Sequence, residues 1–117
     1  MDLYANMGSV RKFLDKFKTI ALKNGIKFVN RKKNRHALVD LNISRKNRTK
    51  EILSLAIEDY CEGPQIDKDD STVINVWIFG KVVKRKEVYI KIKIEKSVVA
   101  KCISFHEADY PLSYPYK

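Results

Sequence analysis

The chain has 117 residues, 44% of them hydrophobic, and a formal net charge of +10 from 24 Lys+Arg against 14 Asp+Glu. This length fits one domain spanning 1–117, the apolar content supports a packed core and excludes global disorder, and the excess of cations favours a polyanionic partner through counterion release. No apolar run approaches the roughly 18–20 residues that span a bilayer, and Met1-Asp-Leu-Tyr-Ala-Asn6 lacks the basic-then-apolar order of a secretory signal, so a cytoplasmic protein without a membrane partner is expected.

Residues 8–24 form the first predicted helix. Val10, Phe13, Leu14, Phe17, Ile20 and Ala21 recur at three- and four-residue steps, Ser9 is placed to cap the start, and Gly25 to stop it. Ile26 to Asn30 reads as a short extended piece. The basic cluster Asn30-Arg-Lys-Lys-Asn-Arg-His36 follows, either a solvated loop and helix start or a phosphate-contacting patch. His36 to Leu41 reads as a short helix with Ala37, Leu38 and Leu41 inward. Ser44 has the chemistry to cap a third helix over about 45–57. Gly63 and Pro64 break regular structure, and Gln65 to Ser71 is expected to be an acidic, flexible loop.

Three strands follow: Val73 to Phe79, Glu87 to Glu95, and Val98 to His106, with Gly80 to Lys86 and Lys96-Ser97 as the connections. Short connections imply an antiparallel meander. Helices first and strands later give an α+β layout, with N-terminal helices on one face of a three-stranded antiparallel sheet in two layers, and a small extra strand at 26–30 as an option. The other face would be open. Pro111 and Pro115 forbid a regular ladder in the tail, and its tyrosines suggest that residues 107–117 pack against the domain.

Strict alternation in Glu87-Val-Tyr-Ile-Lys-Ile-Lys-Ile-Glu95 puts Val88, Ile90, Ile92 and Ile94 on one side and Tyr89, Lys91 and Lys93 on the other. The last strand allows two phases. Ile103 and Phe105 inward leaves Cys102, Ser104 and His106 on the face of Tyr89; the opposite phase buries Ala100 and Cys102 and exposes Phe105. The size of Phe105 favours the first. Tyr89, Lys91, Ser104 and His106 then share one surface. RNA cleavage needs a base for the 2′-hydroxyl, an acid for the leaving 5′-oxygen and cations for the charged phosphorane. His106 is the residue type suited to acid–base work, Lys91 and Lys93 offer charge, and Tyr89 can stack on a base or donate a proton. A strand-end histidine without a role, a packing tyrosine and a solvated lysine face are the plain alternatives. His36 reads as an RNA contact or plain surface rather than a catalyst.

Charge is distributed unevenly. Residues 1–50 hold 14 basic and 3 acidic side chains, residues 51–80 hold 1 and 7, and residues 81–117 hold 9 and 4. Arg31, Lys32, Lys33, Arg35 and Lys93 are the candidate RNA contacts. Asp59 and Glu62 flank Tyr60 and either cap the preceding helix or orient an open-face cation. Cys61 and Cys102 lie far apart without a CxxC spacing, which reads as two reduced thiols. No HxxxH pair or carboxylate cluster suggests a metal, and no GxSxG, P-loop or GxGxxG suggests another enzyme class or a cofactor.

The order of pieces resembles the MqsR-like toxins of bacterial toxin–antitoxin systems, which share the RelE-type ribonuclease fold. The matching stretches are Phe28-Val-Asn-Arg31, Ala37-Leu-Val-Asp-Leu41, Glu51-Ile-Leu-Ser-Leu-Ala-Ile-Glu-Asp-Tyr60, Trp77, Val88-Tyr-Ile-Lys-Ile92 and Ile103-Ser-Phe105, over roughly residues 10–106. Asp59-Tyr60, Gly63-Pro64, Trp77-Ile-Phe-Gly80, Ser104-Phe-His106 and Tyr110-Pro-Leu112 mark a variant group. The resemblance implies a metal-independent mRNA endoribonuclease, with no cofactor, held inactive by a cognate antitoxin. It places the family's active-site tyrosine on Tyr89. The family's catalytic lysine after Ser-Phe falls on His106, a departure. A lysine after the Asp-aromatic pair and a glutamine after the Trp fall near Glu62 and on Ile78, so those roles do not transfer. The chemistry is then either redistributed onto His106 and Lys91 or diminished, and the acid–base competence of histidine favours redistribution. A noncatalytic nucleic-acid-binding or partner-binding module of the same fold is the competing reading.

Overall fold

The computed structural model describes residues 4–117; Met1, Asp2 and Leu3, the first residues of the N-terminal stretch read above, lie outside them. Helix α1 (Met7–Asn24) buries Val10, Phe13, Leu14, Phe17, Ile20 and Ala21, the stripe that its spacing predicts. Its cap is Asn6 rather than Ser9. The Asn6 carboxamide accepts the Ser9 N–H at 2.8 Å, so Ser9 lies inside the first turn. Gly25, at φ +80°, closes the helix with its N–H on the Ala21 carbonyl.

In the basic cluster Asn30 and Arg31 precede a helix that starts at Lys32, four residues before the predicted start at His36. Helix α2 spans Lys32–Asp40 and buries Asn34 and Ala37, with Leu41 buried just beyond. Helix α3 (Arg45–Leu53) starts on Ser44, whose hydroxyl accepts the Asn47 N–H at 3.0 Å, as expected of that cap. It stops at Leu53 rather than 57, and a 3₁₀ turn at Ile57–Asp59 follows. Asp59 caps this turn, its carboxylate accepting the Ala56 N–H at 2.9 Å.

Among the described residues the sheet has five strands, not three. After β1 (Ile26–Phe28) come β2 (Tyr60–Asp67), β3 (Asp70–Val83), β4 (Lys86–Glu95) and β5 (Val99–Glu107), in the spatial order β1-β5-β4-β3-β2. β1 runs parallel to β5, with Ile26 opposite Ala100 and Phe28 opposite Cys102; the other pairings are antiparallel. The stretch from Tyr60 to Ser71 forms a strand and a tight hairpin instead of a break and a flexible loop. Gly63 and Pro64 are tolerated because β2 is an edge strand, where a missing N–H leaves no ladder bond unmade, and register shifts along β2 absorb the mismatch. Asp67 Oδ1 accepts the Asp69 N–H at 2.9 Å and holds the hairpin turn. The β3–β4 turn narrows to Lys84 and Arg85, both with positive φ, a conformation whose twist matches paired strands.

The helices cover one sheet face. Phe13 of α1, packed against Phe17, meets Trp77 and Phe79 of β3, with the Phe13 and Trp77 rings stacked 4.5 Å apart at 11°. Val88, Ile90 and Ile92 of β4 and Phe105 of β5 complete this core. Each fully buried large side chain here contributes roughly 1.5–3 kcal/mol. Arg48 of α3 is also nearly buried, its guanidinium 3.5 Å from the Phe28 ring centroid.

Strand β5 combines both phases considered from the sequence. Phe105 pairs with Ile90 and faces the helices, but so do Cys102, opposite Ile92, and Ala100, opposite Ile94. A register shift between Lys91 and Ile92 makes Ile103 the extra residue of a β-bulge. Cys102 is therefore a core residue rather than a neighbour of His106, while Ser104, opposite Lys91, and His106, opposite Tyr89, lie on the far face.

That far face is partly covered. The tail after β5 crosses it at Gly80, where a Cβ would lie 2.5 Å from Leu112 Cδ1 and 2.7 Å from the Tyr114 hydroxyl. Glu87 holds the tail twice, accepting the Leu112 N–H at 2.9 Å and the Tyr114 hydroxyl at 2.7 Å. Further on, Tyr116 stacks on Tyr60 and donates its hydroxyl to the Ala5 carbonyl. Among the described residues no helix is long and apolar enough to cross a membrane.

Candidate functional site

Alternation in β4 and the pairing of β4 with β5 bring Tyr89 and His106 together. Their rings stack with centroids 5.6 Å apart at 22°. Both are half-buried. Burial pushes the Tyr89 phenol up to about 12, with the charges of Glu62, Tyr110 and Cys61 adding to the shift. Tyr89 is thus a neutral hydrogen-bond donor and stacking surface. His106 Nδ1 lies 2.9 Å from the Glu107 carbonyl oxygen, which can only accept. The proton of the neutral ring is therefore on Nδ1, and Nε2 is left as the basic nitrogen.

Lys91 follows Tyr89 on the same face and has no ion-pair partner among the described residues. Burial lowers its pKa, and the nearby cations Lys68 and Arg31 lower it further against the pull of Asp67 and Asp69. Its ammonium is a charge without a fixed counterion, suited to a phosphate.

Lys93 shares that face but is not available to RNA. It is 5% exposed and its ammonium pairs with Asp67, and with Glu95 at 2.9 Å. Burial opposes its charge, but the bonds to the two carboxylates outweigh that and its pKa is raised. The cause is the β2–β3 hairpin: where the sequence predicts a loop, β2 ends on Asp67, whose carboxylate meets the Lys93 ammonium from the far side of β3.

Arg31, Lys32, Lys33 and Arg35 stand exposed on α2 and its N-terminal flank. Lys33 reaches Asp109 beyond β5 at 2.8 Å, and Arg35 donates to the Asn30 side chain at 2.9 Å. What docks this helix against β5 is Asn34, a residue with no signal in the sequence. Its carboxamide oxygen accepts the Phe105 N–H at 3.0 Å, and its NH₂ donates to the Ile103 carbonyl at 2.8 Å and the Val29 carbonyl at 3.0 Å. These bonds span the bulge, one residue short of His106.

Two adjoining cavities flank His106. One, of about 220 Å³, is lined by Lys33, Tyr89, His106, Asp109, Tyr110 and Leu112. The other, of about 230 Å³, is lined by Lys32, Lys33, His36, Asp40, His106, Glu107 and Asp109. A larger cavity of about 390 Å³ lies between α3 and the β3–β4 turn, and none of the site residues line it. Among the described residues no group of three or more His, Cys, Asp or Glu is arranged to hold a metal ion. Both thiols are buried; burial pushes Cys61 and Cys102 each up to about 12, which leaves them unreactive.

The family model described as "Motility quorum-sensing regulator, toxin of MqsA" matches residues 11–107. The chain belongs to the MqsR toxin family. No curated protein and no solved structure matches it. The MqsR match runs from α1 to the end of β5 and so contains Tyr89, Lys91, His36 and His106. Membership makes the chain a toxin of a toxin–antitoxin system and implies an antitoxin partner. The two MqsR-like positions that depart near Glu62 and at Ile78 are cross-strand partners on β2 and β3. Both line a cavity roofed by Tyr110, Pro111, Leu112 and Ser113 of the tail. The side of Tyr89 toward β3 is thus covered by the tail and carries the Glu62 carboxylate, whereas cations and imidazoles gather on the side toward β5 and α2.

Proposed function

We propose that this toxin is an mRNA endoribonuclease that works without a metal or cofactor and inhibits translation and growth until its antitoxin binds. The observation that carries the reading is the stack of Tyr89 on His106 beside the unpaired Lys91. His106 Nε2 is the proton acceptor for the 2′-hydroxyl, which attacks the adjacent phosphorus. The bond to the 5′-oxygen breaks, and the products are a 2′,3′-cyclic phosphate and a 5′-hydroxyl. Lys91 stabilises the dianionic phosphorane. Tyr89, neutral throughout the physiological range, stacks on a base or donates a hydrogen bond to a phosphate oxygen. Arg31, Lys32, Lys33 and Arg35 contact the RNA backbone, and Lys93 has a structural role instead.

Incubation of the purified chain with mRNA and mapping of RNA 5′ ends tests this reading. Cleavage leaving 5′-hydroxyl ends is expected, with His106→Ala slower by roughly 10²–10⁴-fold and Tyr89→Phe also impaired, while both variants stay folded. Intact RNA and normal growth on induction of the wild type would sink the proposal. RNA binding that depends on Arg31, Lys32 and Lys33 but not on His106, without cleavage, would make the chain a binding module instead.

A further inference from the structure

The second cavity beside His106 holds another imidazole. His36 lies in the middle of α2, and Lys32, His36 and Asp40 are spaced four residues apart along one stripe of that helix. All three line the cleft whose opposite wall is His106, Glu107 and Asp109. His106, Lys33 and Asp109 are common to this cleft and to the one under Tyr89, so the His36 and Tyr89 sides adjoin the same ring. The Asn34 bonds to Ile103 and Phe105 fix the helix that carries His36 against the strand that carries His106.

We propose that the cleft between α2 and β5 is a two-imidazole phosphodiester site, in which His106 Nε2 takes the proton of the 2′-hydroxyl and His36, as imidazolium, gives a proton to the leaving 5′-oxygen. The inference rests on the ribonuclease reading above. One proton leaves the hydroxyl and one reaches the alkoxide, so the pair ends with its protonation exchanged and solvent resets it. No further reactant is needed.

The charges lining the cleft give the site a signature. Two ammonium groups, Lys32 and Lys33, face three carboxylates, Asp40, Glu107 and Asp109. Asp109 is paired with Lys33, and Glu107 lies 3.9 Å from Lys86 outside the cleft. With both imidazoles neutral the lining carries no excess of positive charge. Protonation of His36 and His106 supplies it. Phosphate therefore binds together with protons, and its affinity rises as the pH falls.

The test uses the full chain with isotope-labelled histidine, titrated with inorganic phosphate and followed by NMR. Both imidazoles are expected to shift with one dissociation constant and to titrate at higher pH when phosphate is present. His36→Ala should weaken phosphate at least about tenfold, the loss of one charge-assisted bond, with unchanged thermal stability because His36 is exposed. In RNA cleavage the wild type should give a bell-shaped pH profile. His36→Ala should remove the alkaline limb and His106→Ala the acidic limb. A phosphate response at His106 alone, or a His36→Ala variant that cleaves at the wild-type rate with both limbs intact, overturns the inference and leaves the ribonuclease reading standing. A wild type that cleaves no RNA overturns both.

Discussion

Tyr89 and His106 face each other across the β4–β5 ladder with their rings 5.6 Å apart and nearly parallel. The tyrosine closes one flank of the imidazole to solvent, and the same burial keeps its phenol protonated at a pH where an exposed tyrosine would ionise. Difference spectra between the wild type and Tyr89→Phe should therefore show no phenolate from Tyr89 up to about pH 11, given its pKa of about 12. A phenolate signal from Tyr89 below pH 10 would refute the neutral role given to it.

Loss of Asn34 should be costly. Asn34→Ala leaves the Phe105 N–H and the Ile103 and Val29 carbonyls without their partner in a buried setting. A loss of about 3 kcal/mol is expected in denaturant unfolding. Hydrogen exchange should show α2 and residues 103–106 loosening together. A change below about 0.5 kcal/mol would mean that water replaces the carboxamide easily.

The Lys93–Asp67–Glu95 group makes stability depend on pH at both ends. Asp67 and Glu95 have pKa values below the ordinary carboxylate range, chiefly through their bonds to Lys93. Their contribution is present above that range and is lost as the pH falls through the lowered values. Lys93, raised, contributes below the ordinary lysine value and loses that contribution as the pH rises through its folded pKa. Asp67→Asn should cost about 1–3 kcal/mol at pH 7, because the group is covered yet near the surface, and should flatten the acid limb of a stability–pH curve. An unchanged acid limb would contradict the assignment.

The tail is predicted to come away when either of its anchors is lost. Gly80→Val places methyl groups where Leu112 and Tyr114 lie, and Glu87→Ala removes both acceptors that hold them. Each change should cost about 1–3 kcal/mol and speed proteolytic cleavage after residue 110, with the β4–β5 ladder intact by NMR. Protection equal to the wild type would show that Tyr116 on Tyr60 is sufficient.

Periodicity made the helices and the central strands legible. The α1 stripe, the Ser44 cap and the faces of β4 follow from spacing alone, and with β4 came the position of Tyr89 and Lys91. Features set by long-range bonds were not legible. Gly63 and Pro64 look like a break because their tolerance depends on β2 being an edge. Alternation alone sets Cys102 and Phe105 on opposite faces, because a bulge leaves no mark in it. The charge of Lys93 looked free because its partner Asp67 is distant in sequence. His36 reads as an RNA contact or plain surface because nothing local to α2 shows that β5 brings a second imidazole to it.

Strand β5 has one flank toward β1, and β1 ends at Phe28, opposite Cys102. Past that point the Asn34 carboxamide offers an acceptor to Phe105 and a donor to Ile103, as the next peptide group of a parallel neighbour would. A side chain thus stands in for a missing stretch of strand. The Ile103 carbonyl and the Phe105 N–H are thereby taken up, so neither is left to recruit another chain at the flank beside the imidazoles.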